Sequence, residues 1–314
     1  MIESTASFPY ENPTLKALAD RFWKWEGPTW IVALAIYAGW FLMVWYHAQI
    51  PWWAMIPLGG YLLAWHFSLQ HEAIHGWLGI PGWLRYAIVW PPIGAWFPFE
   101  LYKRSHSTHH RNTYLTYPGE DTETYYQKTR DWEAFSPFWR AVLLAHQTLA
   151  GRLLLGPLLR VRKQVIVEYR KLAAGNYRDI PIWIRHFVAV GIMFWFVTQV
   201  AGMRWYEYVF LVAYPGLSQS LLRAFIEHRA GERPGHRVAI VESNAFWGVL
   251  FLNNNFHTVH HVFPTMPWYL IPGYYRAHKQ EVLKHNNNFW FRGYTQIAAR
   301  WMFTPVFHPA HPKR

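Results

Sequence analysis

From Gly27 to His71 the chain contains no Asp, Glu, Lys or Arg. An uncharged stretch of that length holds two helices of about 20 residues, each able to cross the hydrocarbon of a bilayer, with a turn between them. One span is expected near 29–48 and a second near 52–70, turning at AQIPWW. A second uncharged run, Phe187 to Met203, is followed past MRWYE by another from Tyr208 to Leu222, which predicts spans near 183–202 and 205–225. Any one of these reads equally well as a buried core helix; two such hairpins favour the membrane. The 21 Trp and 19 Tyr include many at the span ends, as in an interfacial aromatic belt. Only 15% of residues are charged, against about 25% in soluble domains, yet mean hydropathy is only −0.06. Apolar spans must therefore alternate with long polar, basic segments.

Residues 86–99 are apolar but carry Pro91-Pro92, and read as a re-entrant or interfacial segment. Residues 138–159 include Arg140, His146 and Arg152, and predict an amphipathic helix lying on the membrane surface. Lys and Arg are nearly absent from the turns inside the two hairpins and frequent elsewhere. By the positive-inside rule both termini and the segments 1–28, 71–182 and 226–314 are expected on the cytoplasmic side of a single domain, residues 1–314. The net charge of +12 then reads as attraction to anionic lipid headgroups rather than nucleic acid, because the basic residues flank apolar stretches. There is no Cys, hence no thiolate ligand. The N-terminus has no basic, then apolar, leader pattern, and no cleaved signal peptide is expected. The terminal HPAHPKR is expected to be a disordered tail.

Eighteen histidines are present, and their spacing matters more than their number. His71-Glu72-Ala73-Ile74-His75 matches the H-E-x-x-H signature of zinc peptidases, with Glu72 as general base. Two further clusters, HSTHH (His106, His109, His110) and HTVHH (His257, His260, His261), are left unexplained by that reading. On a helix, positions i, i+3 and i+4 face one way, so each cluster can aim three imidazoles at one point. A catalytic zinc takes three protein ligands. Eight imidazoles on one side of the membrane suit two metals instead, with room for a small molecule between them. A metal-storage or transport protein remains a rival; it would need polar residues along its spans, and the first two offer little beyond His66, Ser68 and Gln70. Imidazole alone suits Zn, Cu, Fe and Ni. Glu72, Asp121 and Glu123 are candidates to accept a ligand imidazole N–H and fix its tautomer; a surface ion pair or a solvated acidic turn is the plainer reading. His66 is notable as an ionisable group within a span. His47, His146, His186, His236, His278, His285, His308 and His311 lack cluster spacing and read as surface or hydrogen-bonded residues.

H-x-x-x-H, H-x-x-H-H and H-x-x-H-H in this order around two hairpins, with NNNFHTVHHVFPTMPWYLIP after the second, resemble the membrane fatty acid desaturase/hydroxylase superfamily over roughly residues 30–285. The resemblance implies an all-α, integral membrane four-helix bundle under a helical cytoplasmic cap, and a non-haem di-iron centre using O2. It implies a ninth ligand, His228 in RAFIEHRAG, and an asparagine beside the third box for which Asn253 and Asn254 are candidates; helix capping is their plainer role. The expected reaction is desaturation of a fatty acyl or lipid-like chain, with hydroxylation or oxidative decarboxylation to a terminal alkene as alternatives on the same centre. No haem-binding segment, Cys or G-x-G-x-x-G is present, so electrons are expected from a separate ferredoxin- or cytochrome-type donor with its reductase. Arg223, Arg229, Arg233 and Arg237 are candidates to receive an anionic head, or simple membrane anchors.

Overall fold

The computed structural model of the chain describes residues 25–77 and 79–313. Helix α1 (Gly27–Trp45) has Pro28 in its first turn, where a missing N–H costs nothing, and runs uncharged to a short turn at His47–Gln49. Pro51 precedes α2 (Trp52–His75), which packs against α1 and stops at Gly76. The chain then forms α3 (Gly82–Val89), breaks at Pro91-Pro92, and forms α4 (Phe99–Arg111), α5 (Thr129–Ala134), α6 (Pro137–His146) and α7 (Leu149–Ala173). Helix α8 (Ile180–Trp195) continues through a wider π turn to Val200, and Gly202, at φ 77°, supplies the left-handed backbone of the reversal. Helix α9 (Trp205–Tyr208) runs through a second π turn into α10 (Tyr214–Ala224). Beyond lie α11 (Ala245–Leu250), α12 (His257–Val262), α13 (Ile271–Ala277), α14 (Lys279–His285) and α15 (Tyr294–Trp301). The two-residue strands β1 (Ile240–Val241) and β2 (Trp290–Phe291) pair in parallel, Ile240 opposite Trp290.

All four stretches expected to span are helical. Of these, α1 and the helix Ile180–Val200 are long and apolar enough to cross a membrane, and α6 with α7 adds a third if that bent pair is one span. Their outer faces are apolar and uncovered: Leu34 is 72% exposed and Ile192 63%. Inside, α2 and α10 come into backbone contact through glycine. A Cβ at Gly216 would stand 2.4 Å from Leu63 Cβ, closer than real atoms approach. The segments after α10 are tied together by Asn286, whose buried Nδ2 donates to the carbonyls of Val238 and Phe289 and to Thr258 Oγ1 on α12.

Two expectations fail. Residues 138–159 are not one surface helix: α6 and α7 meet at 114°, because Thr148 leaves the helical path and its Oγ1 caps α7 by accepting from Gly151 N–H at 3.0 Å. The terminal residues are not a loose tail either. Pro309 O accepts from Gln127 N–H and His311 N–H donates to Gln127 O, while the buried His311 ring stacks against Tyr117 and lies 3.2 Å from Thr116 Oγ1. These partners lie far off in sequence, 195 residues for Thr116 and His311, so the composition of the tail carried no sign of them. The segment expected to lack a signal peptide lies outside the described residues.

Filling the α2–α10 contact is the direct test of this packing. Gly216→Val is expected to destabilise the fold by about 1–3 kcal/mol. Gly191→Ala on the open face of α8, where nothing lies within 4 Å, is expected to be neutral or mildly stabilising. Thermal unfolding of the two variants in detergent gives the comparison.

Candidate metal centre

The histidines reach one place from four segments. His71 and His75 share a face of the last turns of α2, α4 presents His106, His109 and His110, and α12 presents His257, His260 and His261. His228 follows α10. Their nitrogens form two groups, His71, His75, His106, His110 and His260 in one and His109, His228, His257 and His261 in the other, each with its ligand atoms within 4.8 Å of one another. Ring centroids are 4.5 Å apart for His71–His106 and 4.2 Å for His75–His110. The groups adjoin: the His110 and His261 rings stack at 4.3 Å. Within the second group, His228 Nε2 lies 3.1 Å from the Nε2 atoms of both His109 and His257.

Carbonyl and carboxylate oxygens behind the rings set which nitrogen faces inward. His109 Nδ1 lies 2.8 Å from Asp121 Oδ1, His106 Nδ1 lies 3.1 Å from Glu123 Oε2, and His228 Nδ1 lies 3.2 Å from the Arg237 carbonyl. His257 Nδ1 lies 3.0 Å from Asn254 Oδ1 and 3.5 Å from Glu227 Oε1. With the proton on Nδ1 in each case, the Nε2 lone pair is directed at the centre. Burial, followed by the neighbouring imidazoles, holds His257, His260 and His261 well below the usual histidine range, so these rings are neutral. Burial, followed by the neighbouring His109, takes His228 down to about 3. His109 goes the other way: burial lowers it, but the Asp121 hydrogen bond and the Glu123 charge outweigh that. Burial would raise the Glu123 carboxyl, yet His106 and Arg160 keep it well below its ordinary value.

The donor set fits metal. His75 Nε2 and His106 Nε2 are buried with no hydrogen-bond partner, and a cation between them would supply one to both. Nine nitrogens and no thiolate suit a transition ion of the kind imidazole binds, in groups of five and four.

Every histidine proposed from the three boxes, with His228, is in one of the two groups. Asp121 and Asn254 stand behind His109 and His257 of the second group; Asn254 Nδ2 also lies 3.2 Å from His71 Nε2. Two other candidates point elsewhere. Glu72 Oε1 accepts from Trp268 N–H at 3.4 Å, and Asn253 Nδ2 donates to the Trp268 carbonyl, turned from the rings by left-handed backbone at Leu252 and Asn253. His66 joins neither group; its Nε2 is 3.2 Å from the Tyr37 hydroxyl. Most of the arginines considered for an anionic head are occupied. Arg223 pairs with Glu227 at 2.7 Å, Arg229 donates to the His236 carbonyl, and buried Arg237 donates to the carbonyls of Thr113, Leu115, Gly231 and Glu232. Sequence reasoning missed Glu227, although Arg223 and Glu227 at i, i+4 just before His228 marked a pair. It also missed Lys163, whose Nζ reaches from α7 to the Thr122 and Thr124 carbonyls at 2.9 and 3.0 Å and so fixes the segment bearing Glu123.

The family model described as fatty acid desaturase matches residues 50–293, a stretch that contains all nine histidines. No curated protein matches the chain.

Removing the charge behind a ligand ring is expected to weaken metal binding by about 10–100-fold in Asp121→Asn and Glu123→Gln, with a smaller loss in Lys163→Met. Competition titrations against a chelator, with elemental analysis of the purified variants, give the number; unchanged affinity in all three contradicts the orienting role.

Proposed function

The chain belongs to the fatty acid desaturase family, and from that membership and the nine converging imidazoles we infer a membrane-embedded di-iron oxidoreductase that uses O2 to desaturate a fatty acyl or lipid-like chain. The single observation that carries this reading is the division of nine buried and half-buried imidazoles into adjoining groups of five and four. His71, His75, His106, His110 and His260 would hold one ion and His109, His228, His257 and His261 the other. A reduced iron pair supplies the O2-derived oxidising power that no side chain possesses. The zinc-peptidase reading loses its general base, because the Glu72 carboxylate is turned to the Trp268 backbone.

The protein's own part is positional. Asp121, Glu123, Asn254 and the Arg237 carbonyl keep their partner imidazoles in one tautomer, and five of the nine rings are fully buried. In the overall balance a CH2–CH2 pair loses two hydrogens to become an alkene. These, with two electrons and two protons from outside, reduce O2 to two waters. The electrons come from a separate ferredoxin- or cytochrome-type donor and its reductase. We read α1, α2, α8 and α9–α10 as the four spans, in a multi-pass protein with the histidines and both termini on the cytoplasmic side. The placement of Lys and Arg supports that orientation.

Mass spectrometry of fatty acids and lipids from cells expressing the protein, beside cells expressing His109→Ala, tests the reaction. The expected product is a chain lighter by two hydrogens, formed only with O2 and absent from the variant. An added oxygen reassigns the chemistry to hydroxylation, and a terminal alkene one carbon shorter to decarboxylation. Turnover without O2, or by purified protein with no reductase system, contradicts the proposal.

A further inference from the structure

The loop between α4 and α5 carries Asp121 and Glu123, and it is held from the far end of the sequence. Its most constrained point is Thr116, 1% exposed and at φ 73°. A β-branched residue in left-handed backbone is strained, and it persists only where the surroundings determine it. That conformation turns the Thr116 N–H onto Asp121 Oδ2 at 2.8 Å, while Asp121 Oδ1 takes the Nδ1 proton of His109 at 2.8 Å. One carboxylate thus joins the strained backbone to a metal-facing imidazole.

The Thr116 side chain is held by the C-terminal strap, residues 303–313. Hydrogen bonds between Gln127 and the backbone at Pro309 and His311 lay the strap along the end of the loop. The buried His311 ring then packs on Tyr117 and Tyr126, with centroids 4.4 and 5.2 Å away. Its Nδ1 accepts from Lys313 N–H at 3.2 Å, so the ring proton is on Nε2 and is donated to Thr116 Oγ1 at 3.2 Å. Other groups hold only the backbone nearby: Arg237 donates to the Thr113 and Leu115 carbonyls, and Thr124 Oγ1 to the Thr116 carbonyl.

The contact favours one metal position over the other. Asp121 serves His109, in the group of four. Glu123 serves His106, in the group of five, and Lys163 on α7 fixes its segment through the Thr122 and Thr124 carbonyls. The strap therefore stands behind one group and α7 behind the other.

We propose that the C-terminal strap is a latch on one metal position. His311 is a positioning residue that acts through Thr116 and Asp121 on His109, and so sets how tightly the group of four holds its ion. The inference rests on the metal reading of the nine histidines and is independent of the reaction.

The test uses the full-length protein in detergent, stripped of metal and titrated anaerobically with cobalt(II) against a chelator. The visible bands of bound cobalt and elemental analysis are the readouts. The wild-type chain is expected to take up two ions, and the step lost in His261→Ala identifies the group of four. His311→Ala is expected to weaken that step about tenfold and to leave the other within about twofold. His311→Gln, whose amide nitrogen replaces Nε2, is expected to keep most of the affinity. At Thr116 the left-handed backbone predicts a split. Thr116→Val keeps the branch, loses the acceptor and is expected to match His311→Ala, whereas Thr116→Gly, at ease at positive φ, loses less. Adding His311→Ala to Asp121→Asn is expected to cost nothing further, because both act through one carboxylate. The proposal is overturned if His311→Ala leaves its step unchanged, if both steps fall together, or if the His311 and Asp121 losses multiply. Should His311→Ala fail to fold, equal affinity in Thr116→Val and Thr116→Gly overturns it. A wild-type chain that takes up no second ion removes the metal reading itself, whereas two ions with an unaffected His311→Ala remove only the latch.

Discussion

Imidazoles packed with their nitrogens within 4.8 Å of one another have few ways to coexist. Each ring has one N–H and one lone pair, and where the N–H is committed outward the lone pairs meet in the middle. The fold enforces that commitment: the Asp121, Glu123 and Arg237 oxygens take the Nδ1 protons of His109, His106 and His228. Such a centre is unfavourable when empty and favourable around cations, so the structure is built to be completed by metal. The helix ends, the segments after α10 and the acidic segment after α4 are arranged to satisfy this requirement.

The arrangement explains why the site sits where helices end. His71 and His75 occupy the last turns of α2, His228 lies just past α10, and the box on α4 starts a segment that returns with Asp121 and Glu123. A helix interior presents residues from one line only, whereas a meeting of helix ends draws on several. The α2–α10 contact through Gly216 brings two of those ends together. Asn286 ties α12 to the Val238 and Phe289 carbonyls so that the third box faces them.

Much of this was legible in the sequence because it is local and periodic. The absence of charge from Gly27 to His71 located two helices, and the i, i+3, i+4 spacing marked the eight box histidines. Asp121 was within reach of inference because it follows the second box closely. What escaped was long-range or set by a single cap. Glu72 lies between His71 and His75, yet its contact is the Trp268 backbone, 196 residues away. The right-angled break at Thr148 depends on one hydroxyl, in a stretch whose pattern otherwise reads as continuous helix. His311 is buried by Tyr117 and Tyr126, which nothing near the C-terminus announces.

Helix α7 is where these missed contacts gather. Its carbonyls at Leu153 and Leu154 accept from the Ser218 and Tyr214 hydroxyls of α10, and its Ala150 N–H donates to the Met302 carbonyl past α15. Lys163, further along, clamps the carbonyls on either side of Glu123. The helix is thus bolted both to the helix that leads to His228 and to the segment that orients His106.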